Sequence, residues 1–320
     1  MIAGFTVVRN GVENGYPFVE AVRSVLPLCD EVHVSEGHSE DGTFEALQAA
    51  FAEDPRVHLR RDRWDSRGSD GSPIRNALNR VRRDLTADVL LQFDSNEILP
   101  PEDVPFLRAL PELYPRRDLF GLPYHQFAGR YWFNAEFRFR LVRNRPTVWA
   151  LWDGWTMGFH LSATDLLRPR EVRRIIGRSA LAVLQDRVKV DLPEQYIDLP
   201  SPIFRYYGLF PECFFAKMRT KAWLQANPQY TDLAGEAEPA RHLLEAYRAG
   251  GSYDEFWKGV LDLQRDHRAR GGRINKEFLY ARYVPDAEHP EMVRALLGQA
   301  RYAPPGTPGP RPGQARDPAG

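Results

Sequence analysis

Hydrophobic positions follow two alternating spacings from the first residue to about Pro101. Short apolar runs, such as residues 2–8, predict strands, and segments with apolar side chains every three or four positions, such as residues 43–52, predict helices. The predicted elements are strands 2–8, 31–35, 56–60 and 88–93 and helices 18–26, 43–52 and 74–83. Strands that alternate with helices of about ten residues form right-handed crossovers, so this part predicts a mostly parallel sheet covered by helices on both faces.

After Pro101 the spacing is less regular and aromatic side chains become frequent. The further predicted elements are isolated strands 119–127 and 137–143, a loop over 149–160, and helices within 216–300, including 238–247 and 253–268. From Ala303 the chain is rich in proline and glycine and has almost no apolar side chains. Such a composition cannot offset the entropy lost on ordering, so we expect a disordered tail.

Composition narrows the class of partner. The chain has 320 residues, 43% of them hydrophobic, which is ample for a large core. Lysine plus arginine and aspartate plus glutamate number 43 each, so no overall charge attracts the chain to nucleic acid or an acidic membrane. The two cysteines give neither a disulfide framework nor a thiolate zinc site. No apolar run reaches about 18 residues and a strand pattern starts at once, so we expect a cytoplasmic protein without a transmembrane segment.

Polar side chains follow three of the predicted strands where each strand ends. They lie at residues 9–11, 36–43 and 94–97. In open parallel sheets, ligands bind beyond the carboxyl ends of the strands. We therefore expect Arg9, Glu36 and Asp94 to surround one cleft.

Asp94, Asn96 and Glu97 place several side-chain oxygens on one strand-end turn. Hard cations such as Mg²⁺ and Mn²⁺ take oxygen ligands, and a cation here would bridge two phosphates of a bound ligand. The alternative is an Asx-type turn and helix cap before Pro101. The spacing alone leaves both interpretations open.

Two further positions suit a phosphate or ribose ligand. Asp41 lies in the segment Ser-Glu-Asp-Gly-Thr that ends at Thr43 and opens a helix, where its carboxylate caps the helix or holds a ribose or base. Arg75 lies near the start of the following helix and can face a diphosphate, although surface arginines are common.

Taken in order, these segments resemble the family 2 glycosyltransferases. The resemblance rests on the charged turn after the first strand, on the Ser-x-Asp-Gly-Thr element at 39–43 and on the acidic segment 94–97. Segments 16–20 and 26–31 are similar to one bacterial branch of that family, and segments 139–144 and 203–208, with Lys217, continue the similarity more weakly.

The resemblance implies a GT-A-like α/β fold: a Rossmann-like, mostly parallel sheet flanked by helices, with a mixed acceptor-side region and C-terminal helices. The implied organisation is a nucleotide-sugar-binding half at 1–118, an acceptor-side region at 119–215, a helical region at 216–302 and a tail at 303–320. The implied activity is transfer of a sugar from a nucleotide-sugar donor to a hydroxyl acceptor, with inversion at the anomeric carbon.

The chain departs from the family pattern at two positions. Asn96 stands where many relatives have the second aspartate, and an amide brings no charge, so divalent binding should be weaker and the need for a cation stays open. Arg205 stands where the bacterial branch has histidine. It can neutralise a leaving diphosphate as a fixed cation or form a structural ion pair.

An inverting transfer needs a carboxylate base within reach of the acceptor hydroxyl. Asp153 is the preferred candidate because it lies in an aromatic segment, 149–155, beside Gly154, and aromatic rings suit sugar C–H surfaces. An aspartate before glycine is also a common turn residue. Glu136 is the substitute, and His160 orients either carboxylate, serves as a ligand or is a hydrogen-bonded structural residue.

Two other functional classes remain open from the sequence. One is a catalytically degenerate nucleotide-sugar-binding protein on the same fold, suggested by Asn96 and by the missing histidine. The other is a nucleotidyltransferase or a hydrolase of activated sugars. The chain has no glycine-rich phosphate loop and no G-x-S-x-G elbow, which disfavours kinases, dehydrogenases and esterases.

Overall fold

The computed structural model describes residues 1–64, 72–151, 154, 156–159, 197, 202–214, 237–269 and 281–305. Its strands are β1 Ile2–Val8, β2 Glu31–Glu36, β3 Val57–Arg61, β4 Val89–Gln92, β5 Glu97–Ile98, β6 Leu119–Ala128, β7 Tyr131–Arg143, β8 Val148–Leu151, β9 Thr156–Phe159, β10 Ile203–Gly208 and β11 Arg282–Tyr283. Its α-helices are α1 Phe18–Val25, α2 Thr43–Phe51, α3 Pro73–Asp84, α4 Val104–Leu113, α5 Ala237–Arg248, α6 Tyr253–Ala269 and α7 Glu291–Arg294.

One large sheet holds nine of these strands. Its order is β3-β2-β1-β4-β7-β6-β10-β5, and β11 pairs with Tyr131 and Trp132 at the start of β7. Strands β1 to β4 are parallel to one another, whereas β7 runs antiparallel to both β4 and β6. The topology confirms the predicted α/β class, because a parallel half with helical crossovers continues into a mixed half.

Apolar side chains of β1 alternate between two cores, one on each face of the sheet. Ile2 and Val8 join the core beneath α1 and α2. Ala3, Phe5 and Val7 join the core beneath α3. Every residue of β1 is buried because both faces of this central strand are covered.

Local sequence explains where α3 begins. Pro73 occupies its first turn, and the Ser72 hydroxyl accepts a hydrogen bond from the Arg75 N–H. This is the N-cap arrangement that satisfies a free helix N–H group. Ala77, Leu78 and Val81 then face the sheet at helical spacing.

Two predictions for the middle of the chain were wrong. The segment 149–160 is not a loop, because β8 and β9 pair as an antiparallel hairpin with Val148, Ala150 and Met157 buried beside α3. Glu136 does not lie between strands but inside β7, which begins at Tyr131. The first part of β7, residues 131–136, contains polar and charged side chains, so it lacks the apolar run that predicts a strand.

The sheet is continuous across residue 118, where the sequence suggested a change of region. Leu141 and Val142 of β7 pair with Leu91 and Leu90 of β4. The C-terminal segment packs onto the first half as well, through a hydrogen bond of 2.7 Å from the Tyr302 hydroxyl to the buried Glu20. No helix in the described ranges is long and apolar enough to cross a lipid bilayer.

Trp257 of α6 is fully buried against two glycines of the sheet. A Cβ atom on Gly129 would lie 2.3 Å from the indole, and one on Gly208 would lie 2.2 Å from it. The two positions therefore need glycine so that the indole can approach the backbone.

We expect Gly129→Ala to destabilise the fold more than Gly250→Ala, by about 1–3 kcal/mol. Both glycines have a positive φ, of 55° and 106°, but a Cβ on Gly250 meets nothing within 4 Å. Because a φ of 106° is less favourable for alanine than one of 55°, a larger loss of stability at Gly129 reports overlap with Trp257 and not backbone strain. Urea unfolding of the two variants measures it, and equal midpoints would contradict the packing role of Gly129.

Candidate functional site

The carboxyl ends of β1, β2 and β4 open onto one edge of the sheet. Val8 and Glu36 are register partners, so the loops after β1 and β2 leave the sheet side by side. β4 ends at Gln92 on the other side of β1. Arg9, Glu36 and Asp94 follow or end these three neighbouring strands, so the strand ends lie side by side as the sequence predicted, and a cleft lined by the three side chains stays a prediction.

Side chains of the second loop fix the backbone of the first. Four successive N–H groups of the first loop donate to oxygens of residues 39–43. The pairs are Asn10 N to Ser39 Oγ at 2.7 Å, Gly11 N and Val12 N to Thr43 Oγ1 at 2.8 and 3.2 Å, and Glu13 N to Asp41 Oδ2 at 2.7 Å. The Ser-x-Asp-Gly-Thr element thus determines the conformation of the loop that follows β1.

Asp41 also caps α2. Its Oδ1 atom accepts hydrogen bonds from the N–H and the hydroxyl of Thr43, at 3.1 and 2.5 Å. Oδ1 of Asp41 is therefore engaged at the start of α2, and Oδ2 is engaged by the N–H group of Glu13 in the first loop. Binding of ribose or base by Asp41 stays a prediction.

Glu36 is fully buried and organises the loop after β2. Its carboxylate accepts hydrogen bonds from the N–H groups of His38 and Ser39, at 3.1 and 2.5 Å, and from Arg61 Nε at 2.8 Å. Asn10 and His38 both have a positive φ, of 50° and 54°. Strained residues of this kind persist where the surrounding contacts hold them, and they concentrate at ligand sites.

Trp64, just beyond β3, lies against the same loop. A Cβ atom on Gly37 would be 2.8 Å from the indole and 2.9 Å from Arg9 Cβ. Gly37 therefore allows both Trp64 and Arg9 to pack against the backbone at the end of β2, and the indole adds an aromatic surface to this edge.

The main charged cluster joins Asp94 and Glu97 to Arg140 and Arg205. Arg140 Nη2 lies 3.1 Å from Asp94 Oδ2 and contacts Glu97 Oε1 as well. Arg205 Nη2 lies 3.3 Å from Asp94 Oδ2, and its Nε lies 3.7 Å from Glu97 Oε1. Arg205 and Glu97 are also register partners on β10 and β5. We call these four residues the arginine–carboxylate cluster.

The four side chains of the cluster differ in their exposure to solvent. The side chains of Arg140 and Glu97 are each 2% exposed, whereas those of Asp94 and Arg205 are 26% and 18% exposed. Asp94 and Arg205 therefore form the accessible side of the cluster, and Arg140 and Glu97 support them from behind.

Electrostatics keep the accessible pair ionised. Burial disfavours the charge on Asp94, but Arg140 and Arg205 outweigh it and hold its pKa below the ordinary value. Burial likewise disfavours the charge on Arg205, but Asp94 outweighs it and the pKa of Arg205 is raised. Burial raises the pKa of Glu97 against the opposing effect of Arg140. Tyr16 lies nearby, and burial raises its pKa to about 12.

The residues predicted as metal ligands already have partners. Asp94 and Glu97 contact two guanidinium groups, and Asn96 Nδ2 donates to the Tyr206 carbonyl at 2.7 Å. Two carboxylates then face two guanidinium groups, so the cluster has no excess negative charge to attract a divalent cation. Arg140 and Arg205 hold positive charge where a bridging metal would otherwise supply it.

Glu136 belongs to a second polar group on the neighbouring strands. Its carboxylate accepts from the Tyr124 hydroxyl at 2.8 Å and from Asn134 Nδ2 at 2.9 Å, and it is ion-paired with Arg138. Tyr124 and Glu136 are register partners on β6 and β7, so they share one face of the sheet. The carboxylate is held in one orientation with both oxygens engaged.

The other predicted residues lie elsewhere or are not described. Arg75 is in the first turn of α3. Asp153, His160 and Lys217 lie outside the described residues. Gly154, next to Asp153 in the chain, has a φ of 86° and packs against Leu78 of α3.

Sequence reasoning missed Arg140 and Arg138 as site residues. The available signal was the alternation of arginine with phenylalanine over residues 137–140, because an arginine in a buried strand needs a carboxylate partner. It also missed Trp64 and Tyr124, for which the sequence gives no signal.

Comparison with known proteins gives matches among solved structures. No protein-family model matches the chain, and the comparison with curated proteins gives no match. S. aureus TarS 1-349 is 13% identical, with 70% of this chain and 64% of that chain covered and a TM-score of 0.33. The same protein in complex with UDP-GlcNAc is 12% identical, with 70% of this chain and 66% of that chain covered and a TM-score of 0.34.

A second protein matches over a shorter range. Glucosyl-3-phosphoglycerate synthase from Mycobacterium tuberculosis, in complex with Mn²⁺ and UDP-glucose, is 21% identical, with 40% of this chain and 43% of that chain covered and a TM-score of 0.28. The chain therefore spans less than two thirds of the length of TarS 1-349 and less than half of the synthase chain.

Proposed function

We propose that the chain is a glycosyltransferase that binds a nucleotide sugar at the carboxyl edge of β1, β2 and β4 and transfers the sugar to a hydroxyl acceptor with inversion. The observation that carries the proposal is the arginine–carboxylate cluster at that edge. It holds fixed cations and an ionised, accessible carboxylate within one site.

A departing nucleoside diphosphate gains negative charge as the glycosidic bond breaks. Cations that are already in place stabilise such charge without a reorganisation cost. Arg205 suits this role because its planar guanidinium matches phosphate oxygens, and Asp94 holds it in position. Arg140, buried behind Asp94, keeps that carboxylate ionised.

The cluster also supports transfer without a divalent cation. A cation at Asp94 and Glu97 would have to displace two guanidinium groups from their carboxylates. The solved complex of glucosyl-3-phosphoglycerate synthase contains Mn²⁺. Whether donor binding requires a divalent cation therefore distinguishes the proposed arginine-based site from a site in which a metal bridges the phosphates.

Asp153 is the proposed base, and Glu136 is proposed to position the acceptor side of the site. Glu136 has both oxygens engaged by Tyr124, Asn134 and Arg138. A base must accept a proton from the acceptor hydroxyl, and three donors, one of them a guanidinium, already occupy the Glu136 carboxylate and lower its basicity.

The proposed location is the cytoplasm. Cys29 and Cys213 are both free and buried, which suits a reducing compartment.

The competing candidate is a degenerate protein that binds a nucleotide sugar without transferring it. Asn96 and the paired state of Asp94 and Glu97 favour it, because both remove ligands that a metal-dependent transferase needs.

A donor screen addresses both candidates. Melting temperatures are measured with UDP-, GDP-, dTDP- and CMP-sugars, and the stabilising donor is then tested for transfer to a broad acceptor set. Binding without transfer or donor hydrolysis supports the degenerate binder, and no stabilisation by any donor contradicts both.

We expect donor binding to be independent of divalent metal. The stabilising donor should raise the melting temperature by the same amount in excess EDTA and in excess Mn²⁺, because Arg140 and Arg205 supply the positive charge. Loss of the shift in EDTA, with recovery on adding Mn²⁺, would contradict the role given to the two arginines.

Arg205→Lys should weaken donor binding at least about tenfold, since a lost charged hydrogen bond costs about 1.5–3 kcal/mol. Lysine keeps the charge beside Asp94 but not the planar fork. Arg145→Lys is the matched control, because Arg145 forms a single ion pair with Asp118 at 3.1 Å. Calorimetric titration of each variant gives the dissociation constants, and equal values for both would remove Arg205 from the donor site.

Asp153→Asn should keep donor affinity and reduce transfer by at least about 10²-fold, the effect of removing a general base. Glu136→Gln is the matched carboxylate-to-amide change. Single-turnover rates decide between the two residues: loss of transfer in Glu136→Gln alone would assign the base to Glu136.

A further inference from the structure

Three metal-ligating side chains meet on the two strands at the outer end of the sheet. His33 of β2 and His58 of β3 are direct register partners. Glu31 precedes His33 by two residues on β2, so all three side chains point to the same face. One ligand atom from each lies within 4.8 Å of the others.

This group is separate from the donor site. β2 begins at Glu31 and ends at Glu36, whose carboxylate organises the loop at the carboxyl edge. Five residues of strand span about 16 Å, so the two sites lie at opposite ends of β2. None of the three residues has a part in the proposed transfer.

The environment of His33 suits a metal ligand. Its Nε2 atom is shielded from solvent and has no hydrogen-bond partner, although it lies 3.4 Å from Glu31 Oε1. A shielded imidazole nitrogen without a hydrogen bond is an incomplete arrangement for a polar atom.

The neighbouring charges do not compete for Glu31. Arg60 follows His58 by two residues on β3, but it is paired with Asp62 and Asp84, each at 2.5 Å. Glu31 therefore contributes a carboxylate to a group that otherwise contains two imidazoles.

We propose that Glu31, His33 and His58 bind a divalent cation of the zinc class and thereby fasten the edge strand β3 to β2. Two imidazoles and one carboxylate form a ligand set that Zn²⁺ accepts, with a fourth position for water. Tetrahedral bonds of about 2.1 Å place ligand atoms about 3.4 Å apart. Glu31 Oε1 lies 3.4 Å from His33 Nε2 and Glu31 Oε2 lies 3.8 Å from His58 Nε2, so both imidazole nitrogens face the same carboxylate.

His58 is the ligand that completes the geometry. Its side chain is 49% exposed, so the ring can rotate by the small amount needed without disturbing the core. β3 otherwise lies at the edge of the sheet and pairs only with β2 among the described strands. A metal that joins the two strands adds a cross-link to β3, which has one neighbouring strand among those described.

The test titrates the full-length, metal-free protein with ZnCl₂ in the absence of nucleotide sugars. We expect one equivalent of Zn²⁺ to bind and the melting temperature to rise, because an ion that binds the folded chain stabilises it. His58→Ala should lower the affinity at least about tenfold, as expected for a disturbed metal site. Its metal-free melting temperature should stay unchanged, since the side chain is half exposed.

His242→Ala is the matched control, because His242 is an exposed histidine on α5. It should bind Zn²⁺ as the unaltered chain does. Equal affinity of His58→Ala and the unaltered chain, or no saturable binding of one equivalent, would overturn the proposal. Since no donor is present, either result leaves the proposed transferase function untouched.

Discussion

The arginine–carboxylate cluster is the interaction on which the site depends. Its four members come from four places in the chain: the turn after β4, β5, β7 and β10. A buried charge is tolerated only with a partner, so each of these residues requires the others to be in place. The cluster thus links formation of the charged site to assembly of the parallel and mixed halves of the sheet.

The cluster can form because the sheet is continuous rather than divided. Arg140 reaches Asp94 because β7 pairs directly with β4, and Arg205 reaches Glu97 because β10 pairs with β5. Strand pairing supplies the positions, and the ion pairs then select the register that neutralises the charges. An alternative register would leave buried guanidinium groups without carboxylates.

The loops after β1 and β2 are held by a different kind of contact. There, hydroxyl and carboxylate oxygens of residues 39–43 take the N–H groups of the loop after β1, and Glu36 takes those of its own loop. These contacts hold Asn10 and His38 at positive φ. The loops after β1 and β2 are therefore organised by hydrogen bonds to the backbone and the turn after β4 by ion pairs, so both parts of this edge are preorganised. Positive charge in the proposed donor site comes from arginine, whereas the imidazoles suited to a metal lie at the far end of β2.

The sequence by itself determined the parallel half of the fold, because hydrophobic spacing and strand-end polar residues are local properties. The elements from β1 to β4 and the positions of Arg9, Glu36 and Asp94 at one edge follow from that spacing. Only the tertiary structure decided the roles of Asp94 and Glu97, because whether a carboxylate binds a metal or an arginine depends on which strands become neighbours. Arg140 is 43 residues from Glu97 in sequence, and no local pattern joins them. The same reason applies to His33 and His58, which only the pairing of β2 with β3 brings together.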